Sequence, residues 1–340
     1  MTQLGSIHIL VFDMAERIII DTDPGIDDAL ALLLALLSPE LDVAAITTVN
    51  GNVPVEMGTR NVFTVLSLLP SADRPPVASG ASRPLIKNPV LATHIHGEDG
   101  LGGLHRCLDA SGNRRYNPKQ VIPSERNGVD EMLHQLSVSR EPTTIIALGP
   151  LTNIATAIEK DRETMAAAKQ IVLMGGAISV GGNVTPYAEF NIYVDPHAAR
   201  VVFGSGIPLT VVGLDVTTQV GLTRDMIERA VESHPTTLSY FLRDCTGDMI
   251  VFAEEHYGKS IFFLHDPLTV GVVIDPTFVT KSPLHVEIET EGTVTEGMTV
   301  ADRRPLKPEL KKAPNSEVCI GVDADRFLAF FMERLLSRNK

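Results

Sequence analysis

A chain of 340 residues, 44% of them hydrophobic, is long enough to bury a large core, and its net charge of −13 argues against nucleic acid, an anionic membrane or a polyanionic substrate as partner. Cys107, Cys245 and Cys319 are scattered, with neither a disulfide framework nor a zinc spacing, which points to a reducing, cytoplasmic setting. No basic segment or cleavage pattern marks a signal peptide, and the apolar run from Ala29 to Leu37 is far too short to span a bilayer.

Residues 1–16 read as an extension, with room for one added edge strand, ahead of a single α/β domain at 17–340. Ile18-Ile19-Ile20 makes a buried first strand at 17–21. Leu30 to Leu37 is apolar on every face and makes a helix buried on both sides, at 27–37. Between them stand Asp21, Asp23, Asp27 and Asp28 around a Pro24-Gly25 turn. A helix cap accounts for one of Asp27 and Asp28, but not for all four acids. Like charges this close repel, and no Lys or Arg occurs between Arg17 and Arg60. A bound hard cation with oxygen ligands, Ca²⁺ or Mg²⁺, is the simplest local remedy.

Residues 42–49 make the second strand. Helical spacing over 55–69 turns Asn50-Gly51-Asn52 into a strand-to-helix loop rather than a hairpin turn, so Asn52 either faces a ligand or simply fills the loop. A short strand at 76–79 follows. The Gly-rich stretch His94 to Gly103 carries two histidines that no other residues complete as a zinc site; it reads equally as a lid or a plain loop. A helix at 127–139, a strand at 143–148 and a helix to 158 come next. The strand at 170–174 then runs into Gly175-Gly176 and Gly181-Gly182-Asn183. These glycines are not GxGxxG and no basic residue follows them as in a P-loop, which excludes nucleotide-phosphate binding.

Glu189 and Asn191, two apart, share a face if the segment is extended. Asp195 reads as the cap of a helix at 196–203. A strand at 209–214 ends beside Asp215, and helices at 224–232 and 236–255 follow. His265-Asp266 stands before an apolar helix, where the pair is either a packed ring and a cap or part of a site. Residues 284–290 and 294–300 read as an antiparallel pair, 317–322 as a strand and 323–336 as a closing helix. The alternation predicts an open, largely parallel sheet flanked by helices, with a small antiparallel addition near the C-terminus.

Acids and amides thus recur at strand ends, which converge on one face of a parallel sheet. No G-x-S-x-G elbow is present. The mix suits a metal-held water, a carboxylate base and partners for a polyhydroxylated ligand, the needs of hydrolysis at a sugar carbon.

Asp21-Thr22-Asp23-Pro24-Gly25-Ile26-Asp27-Asp28-Ala29 resembles the signature of the nucleoside hydrolases, the inosine–uridine-preferring family. In order, Ala45 to Asn52, His94 to Gly97, Gly149 to Asn153, Leu173 to Gly176, Ala188 to Asn191, His265 to Pro267 and Gly297 to Asp302 resemble its later blocks. The resemblance implies an open α/β fold, a ribonucleoside substrate, Ca²⁺ at the bottom of the pocket and a homodimer or homotetramer. By position, Asp28, Asp266, Asp23 and the carbonyl of Leu148 would bind Ca²⁺, with Asp23 also the general base for the attacking water. Asp27, Asn183, Glu189 and Asn191 would hold the ribose, Asn52 would stand beside metal and sugar, Met174 would line the pocket, and Asp21 would support from behind. His265 would assist the departing base and His96 would close over it, with the segment around Asp248, His256 and Tyr257 as cover. One branch of the family stacks the base between tryptophans and another has Cys at the His265 position. This chain has no Trp and keeps the histidine, so a nonspecific or pyrimidine-leaning enzyme is expected.

Two other readings compete. Asp21-Thr22-Asp23 after an apolar strand mimics the haloacid-dehalogenase phosphatases, but Gly25 and the lack of a suitable Lys count against them. A Ca²⁺-dependent sugar-binding protein would keep the ribose ligands and lack Asp23 or His265.

Overall fold

The computed structural model describes residues 15–70, 74–118 and 120–337, so the added edge strand expected within 1–16 lies almost wholly outside the described residues. Twelve strands are present among them: β1 Glu16–Thr22, β2 Leu41–Thr48, β3 Val77–Ser79, β4 Thr143–Ala147, β5 Ala168–Met174, β6 Leu209–Val212, β7 Gly221–Thr223, β8 Ile261–Phe263, β9 Val279–Leu284, β10 Val286–Ile288, β11 Thr299–Ala301 and β12 Ser316–Val322. Eight form one sheet in the order β3-β2-β1-β4-β5-β6-β12-β9. Every pairing in it is parallel except β12 with β9 at the edge.

Both faces of this sheet are covered, and the strand residues show it. Ile18, Ile20, Ile46, Ile146 and Val172 belong to one apolar cluster; Ile19, Ala45, Ile145, Ala147 and Ile171 belong to another on the opposite face. The alternation follows the two-residue period of a strand, and apolar residues on both faces give the continuous runs seen in the sequence. The helix Ile26–Leu37 lies in the first cluster, with Leu30, Leu32, Leu33 and Leu34 at most 1% exposed. It packs against the helices His265–Ile274 and Ala324–Leu336. Leucine and alanine favour helix, and each buried leucine contributes about 1.5–3 kcal/mol of apolar transfer.

The chain leaves β1 for β2 on one side and later places β4 on the other, in register at Asp21 with Thr47 and Ala147. Such a reversal of strand order leaves a crevice at the carboxyl ends, where open sheets take their ligands.

The C-terminal region departs from the expected pairing. Instead of a long hairpin over 284–300, only Val286–Ile288 and Thr299–Ala301 pair, while Val279–Leu284 joins the main sheet as its edge. Pro283 has no N–H to donate, which suits an edge strand. The second small antiparallel pair, β7 with β8, brings Phe263 and His265 beside the crevice.

Candidate active site

Three turns assemble the floor of the crevice. After β1 the chain turns through Asp23-Pro24-Gly25 into the helix Ile26–Leu37, with Asp27 and Asp28 in its first turn. Asp28 does cap this helix, accepting the Gly25 N–H at 2.9 Å. It also accepts the Thr22 hydroxyl at 2.5 Å, the Asn52 side-chain amide at 3.0 Å and the Asp23 N–H at 3.3 Å. After β2, Asn52 donates its backbone N–H to Asp23 Oδ2 at 2.6 Å. After β8, Asp266 is the second residue of the helix His265–Ile274, and its side chain is not a helix cap.

Carboxylate oxygens of Asp27, Asp28 and Asp266 lie within 4.8 Å of one another. No ion pair links Lys or Arg to them or to Asp23 among the described residues. Burial first, then Asp28, holds the Asp23 carboxyl well above the usual range, and the same causes push Asp27 up to about 8. Burial also raises Asp28, and burial with Asp27, Asp28 and Asp23 raises Asp266. Asp23 Oδ1 and Asp27 Oδ1 are buried with no hydrogen-bond partner. Crowded, desolvated carboxylates with unused oxygens fit a divalent cation that prefers oxygen ligands.

Asp21 stands behind this cluster, held by the Thr47 hydroxyl at 2.5 Å and the Asn153 amide at 2.8 Å, and burial pushes it up to about 7. Gly51 and Gly149 give Asp23 its room. A Cβ on Gly149 would lie 2.5 Å from Asp23 Oδ1, and one on Gly51 would run into Asp23 Oδ2. Neither glycine was singled out in the sequence as part of the site.

Above the floor is a cavity of about 360 Å³, lined by Asp27, Asn52, Leu148, Met174, Asn183, Glu189, Asn191, His265 and Asp266 among others. Asn191 donates from Nδ2 to the Leu148 carbonyl at 2.7 Å and the Met174 carbonyl at 3.2 Å, tying three expected residues together. Glu189 and Asn191 lie not in an extended segment but at the start of the short helix Phe190–Val194. Glu189 caps it, accepting from the N–H groups of Asn191 and Ile192 and also of Gly176. Both side chains still reach the cavity, because the cap and the second helical residue lie on its side. Asn183 lines the same wall and accepts the Phe190 N–H at 2.9 Å. Asp195 is the helix cap it was expected to be.

The histidines divide. His265 lines the cavity, with Nδ1 2.7 Å from the Thr217 hydroxyl, and burial lowers its pKa to about 4. His96 lies in the short helix Thr93–His96 and backs the acidic turn, where Nδ1 accepts the Ile26 N–H at 3.1 Å. Burial, then His265 and His94, lowers it to about 4. Its neighbours His94 and Ile95, rather than His96, line the cavity, and Met249 and Phe252 face it from the long helix Thr237–Tyr257. Thr217, Met249 and Phe252 carried no spacing that distinguished them in the sequence. No helix among the described residues is long and apolar enough to cross a membrane.

The chain is similar to known proteins along nearly all of its length. The profile of the inosine-uridine preferring nucleoside hydrolases matches residues 18–329. The chain is 40% identical over 328 residues to a pyrimidine-specific ribonucleoside hydrolase, RihA, of Escherichia coli, covering 95% of this chain and 99% of that one. Among solved structures, a purine-preferring ribonucleoside hydrolase from Gardnerella vaginalis superposes with a TM-score of 0.84 at 34% identity, covering 95% of this chain and 98% of that one. A plant nucleoside hydrolase, PpNRh1, gives 0.83 at 34% identity, covering 95% and 99%. With the acidic turn at the switch point of its sheet and relatives of this similarity along nearly all of its length, the chain belongs to the inosine-uridine preferring nucleoside hydrolases, enzymes that cleave the N-ribosyl bond of ribonucleosides.

Proposed function

We propose that the chain is a Ca²⁺-dependent ribonucleoside hydrolase that accepts both base classes and favours pyrimidines. The observation that carries this is a sugar-sized cavity whose floor is a cluster of buried carboxylates and whose wall holds Glu189, Asn183, Asn191 and His265. The preference leans on the 40% identity to pyrimidine-specific relatives and on the absence of Trp.

Asp23, Asp28, Asp266 and the Leu148 carbonyl oxygen would hold Ca²⁺, which when bound supplies Lewis acidity that lowers the pKa of water. Asp23 Oδ2 is steadied by Asn52, and Oδ1 is left to take the proton of the attacking water. Asp27, Glu189, Asn183 and Asn191 hold the ribose hydroxyls, with Met174 against the ring. The buried carboxylates stabilise the positive charge that develops at C1′. His265, neutral at pH 7, stands where the base departs and assists it.

The direct test is release of free ribose from inosine, adenosine, uridine and cytidine with Ca²⁺ present. Turnover led by uridine and cytidine is expected. Ribose bound without any release would identify a sugar-binding protein and end the hydrolase reading. His265→Ala should slow inosine by about 10²-fold but p-nitrophenyl riboside by less than about threefold, because nitrophenolate departs unaided. Equal losses on the two substrates would remove His265 from base departure. Gly51→Ala drives a methyl group into the Asp23 carboxylate and should lower kcat by about 10²-fold with KM nearly unchanged. A normal kcat in a folded Gly51→Ala protein would show that Asp23 needs no fixed position.

A further inference from the structure

Thr217 ends the short helix Leu214–Thr217 and is fully buried. Its neighbour Thr218 donates its hydroxyl to the Leu214 carbonyl at 2.7 Å, and Thr246 does the same to Leu242. That back-bond to the preceding turn is the ordinary use of a helical threonine. Thr217 departs from it. Among the hydrogen bonds of the described residues, its hydroxyl meets His265 Nδ1, at 2.7 Å, and nothing else. A buried hydroxyl has one proton to place, and leaving a donor unpaired costs more than leaving a lone pair unused. Thr217 therefore donates, Nδ1 accepts, and the ring proton of His265 resides on Nε2.

The element that holds the ring is itself fixed. Asp215, two residues before Thr217, accepts the N–H groups of Ile178 and Ser179 at 2.8 and 2.7 Å, so the helix is tied to the loop that leads to Asn183. Gly213 accepts the N–H groups of Val216 and Thr217.

We propose that Thr217 is a positioning residue that sets the tautomer of His265, presenting Nε2–H to the cavity as a hydrogen-bond donor to the departing base. The proposal rests on the reading of His265 as the group that assists departure. The C1′–N bond breaks with its electron pair leaving on the base, and Nε2–H donates to that developing charge without giving up its proton. With the opposite tautomer Nε2 would present a lone pair and repel the same charge.

The test compares Thr217→Val, Thr217→Ser and His265→Ala on inosine and p-nitrophenyl riboside, with Ca²⁺ present. Thr217→Val should lower kcat on inosine by about tenfold or more, leave KM within about threefold, and leave p-nitrophenyl riboside within about threefold. Thr217→Ser keeps the hydroxyl and should stay within about threefold of wild type on both substrates. Nitrogen-15 NMR of histidine-labelled wild-type protein, with the His265 signals assigned by their loss in His265→Ala, should show Nδ1 unprotonated and Nε2 protonated. A protonated Nδ1 in wild type, or Thr217→Val losses equal on both substrates, would overturn the proposal. If Thr217→Val does not fold, the wild-type spectrum decides alone. If His265→Ala slows both substrates equally, it is the underlying reading of His265 that fails.

Discussion

Asp23→Ala is expected to lower kcat by about 10⁴-fold, the upper end of what a positioned base supplies, while the protein still folds. On the proposed mechanism the side chain both receives the proton of the attacking water and ligates the cation, so its loss removes two functions together. The structural cost is small by comparison. The buried Asn52 N–H loses its 2.6 Å partner, worth about 1–3 kcal/mol. Against this, Asp28 and Asp266 are relieved of a like charge beside them. Single-turnover ribose release and a thermal melt separate the two effects. Turnover within tenfold of wild type would remove Asp23 as the base, and a protein that does not melt cooperatively would make its role structural.

What could be read in advance follows the physics of each segment. The acidic turn was legible because four carboxylates in eight residues have few structural explanations. The parallel sheet was legible because strands buried on both faces become unbroken apolar runs, as in Ile18-Ile19-Ile20. The helices Phe190–Val194 and Leu214–Thr217 were not, since five and four residues are too few to display a 3.6-residue period. Edge strand β9 was hidden by its polar, half-exposed Val-Thr-Lys-Ser-Pro-Leu sequence. At the site, residues that act through charge stood out, whereas those that act through shape or by orienting another group did not. Gly51 contributes only an absent Cβ, and Thr217 contributes a hydroxyl 48 residues away in sequence from the ring it holds. His96 shows the converse: a residue conspicuous in sequence whose Nδ1 accepts the Ile26 N–H while its neighbours His94 and Ile95 line the cavity.

Removal of divalent cation by a chelator is expected to abolish ribose release and to lower the melting temperature, more at pH 8 than at pH 5.5. The direction follows from the carboxylates. Burial and neighbouring acids push Asp27 up to about 8 and hold Asp23 and Asp266 well above their ordinary values, near 4. Between about pH 4 and pH 8 the metal-free folded state therefore binds more protons than the unfolded chain. The stability tied to these groups is fully present below the unfolded pKa and is lost as the pH rises through the folded one. A cation in the cluster displaces those protons, so its affinity rises with pH as their competition fades. At a Ca²⁺ concentration of 100 Kd the folded state gains about 2.7 kcal/mol, or roughly 4 °C for a chain of this size. The proposed ligand set, crowded carboxylates with a backbone carbonyl, would suit the flexible shell of Ca²⁺ better than the octahedral, water-retaining shell of Mg²⁺. Ca²⁺ should thus restore turnover to the chelated enzyme where Mg²⁺ does not. Full turnover after exhaustive chelation would sink the metal-dependent mechanism. A Ca²⁺-induced rise in melting temperature that was the same at both pH values would place the bound ion somewhere other than among Asp23, Asp27, Asp28 and Asp266.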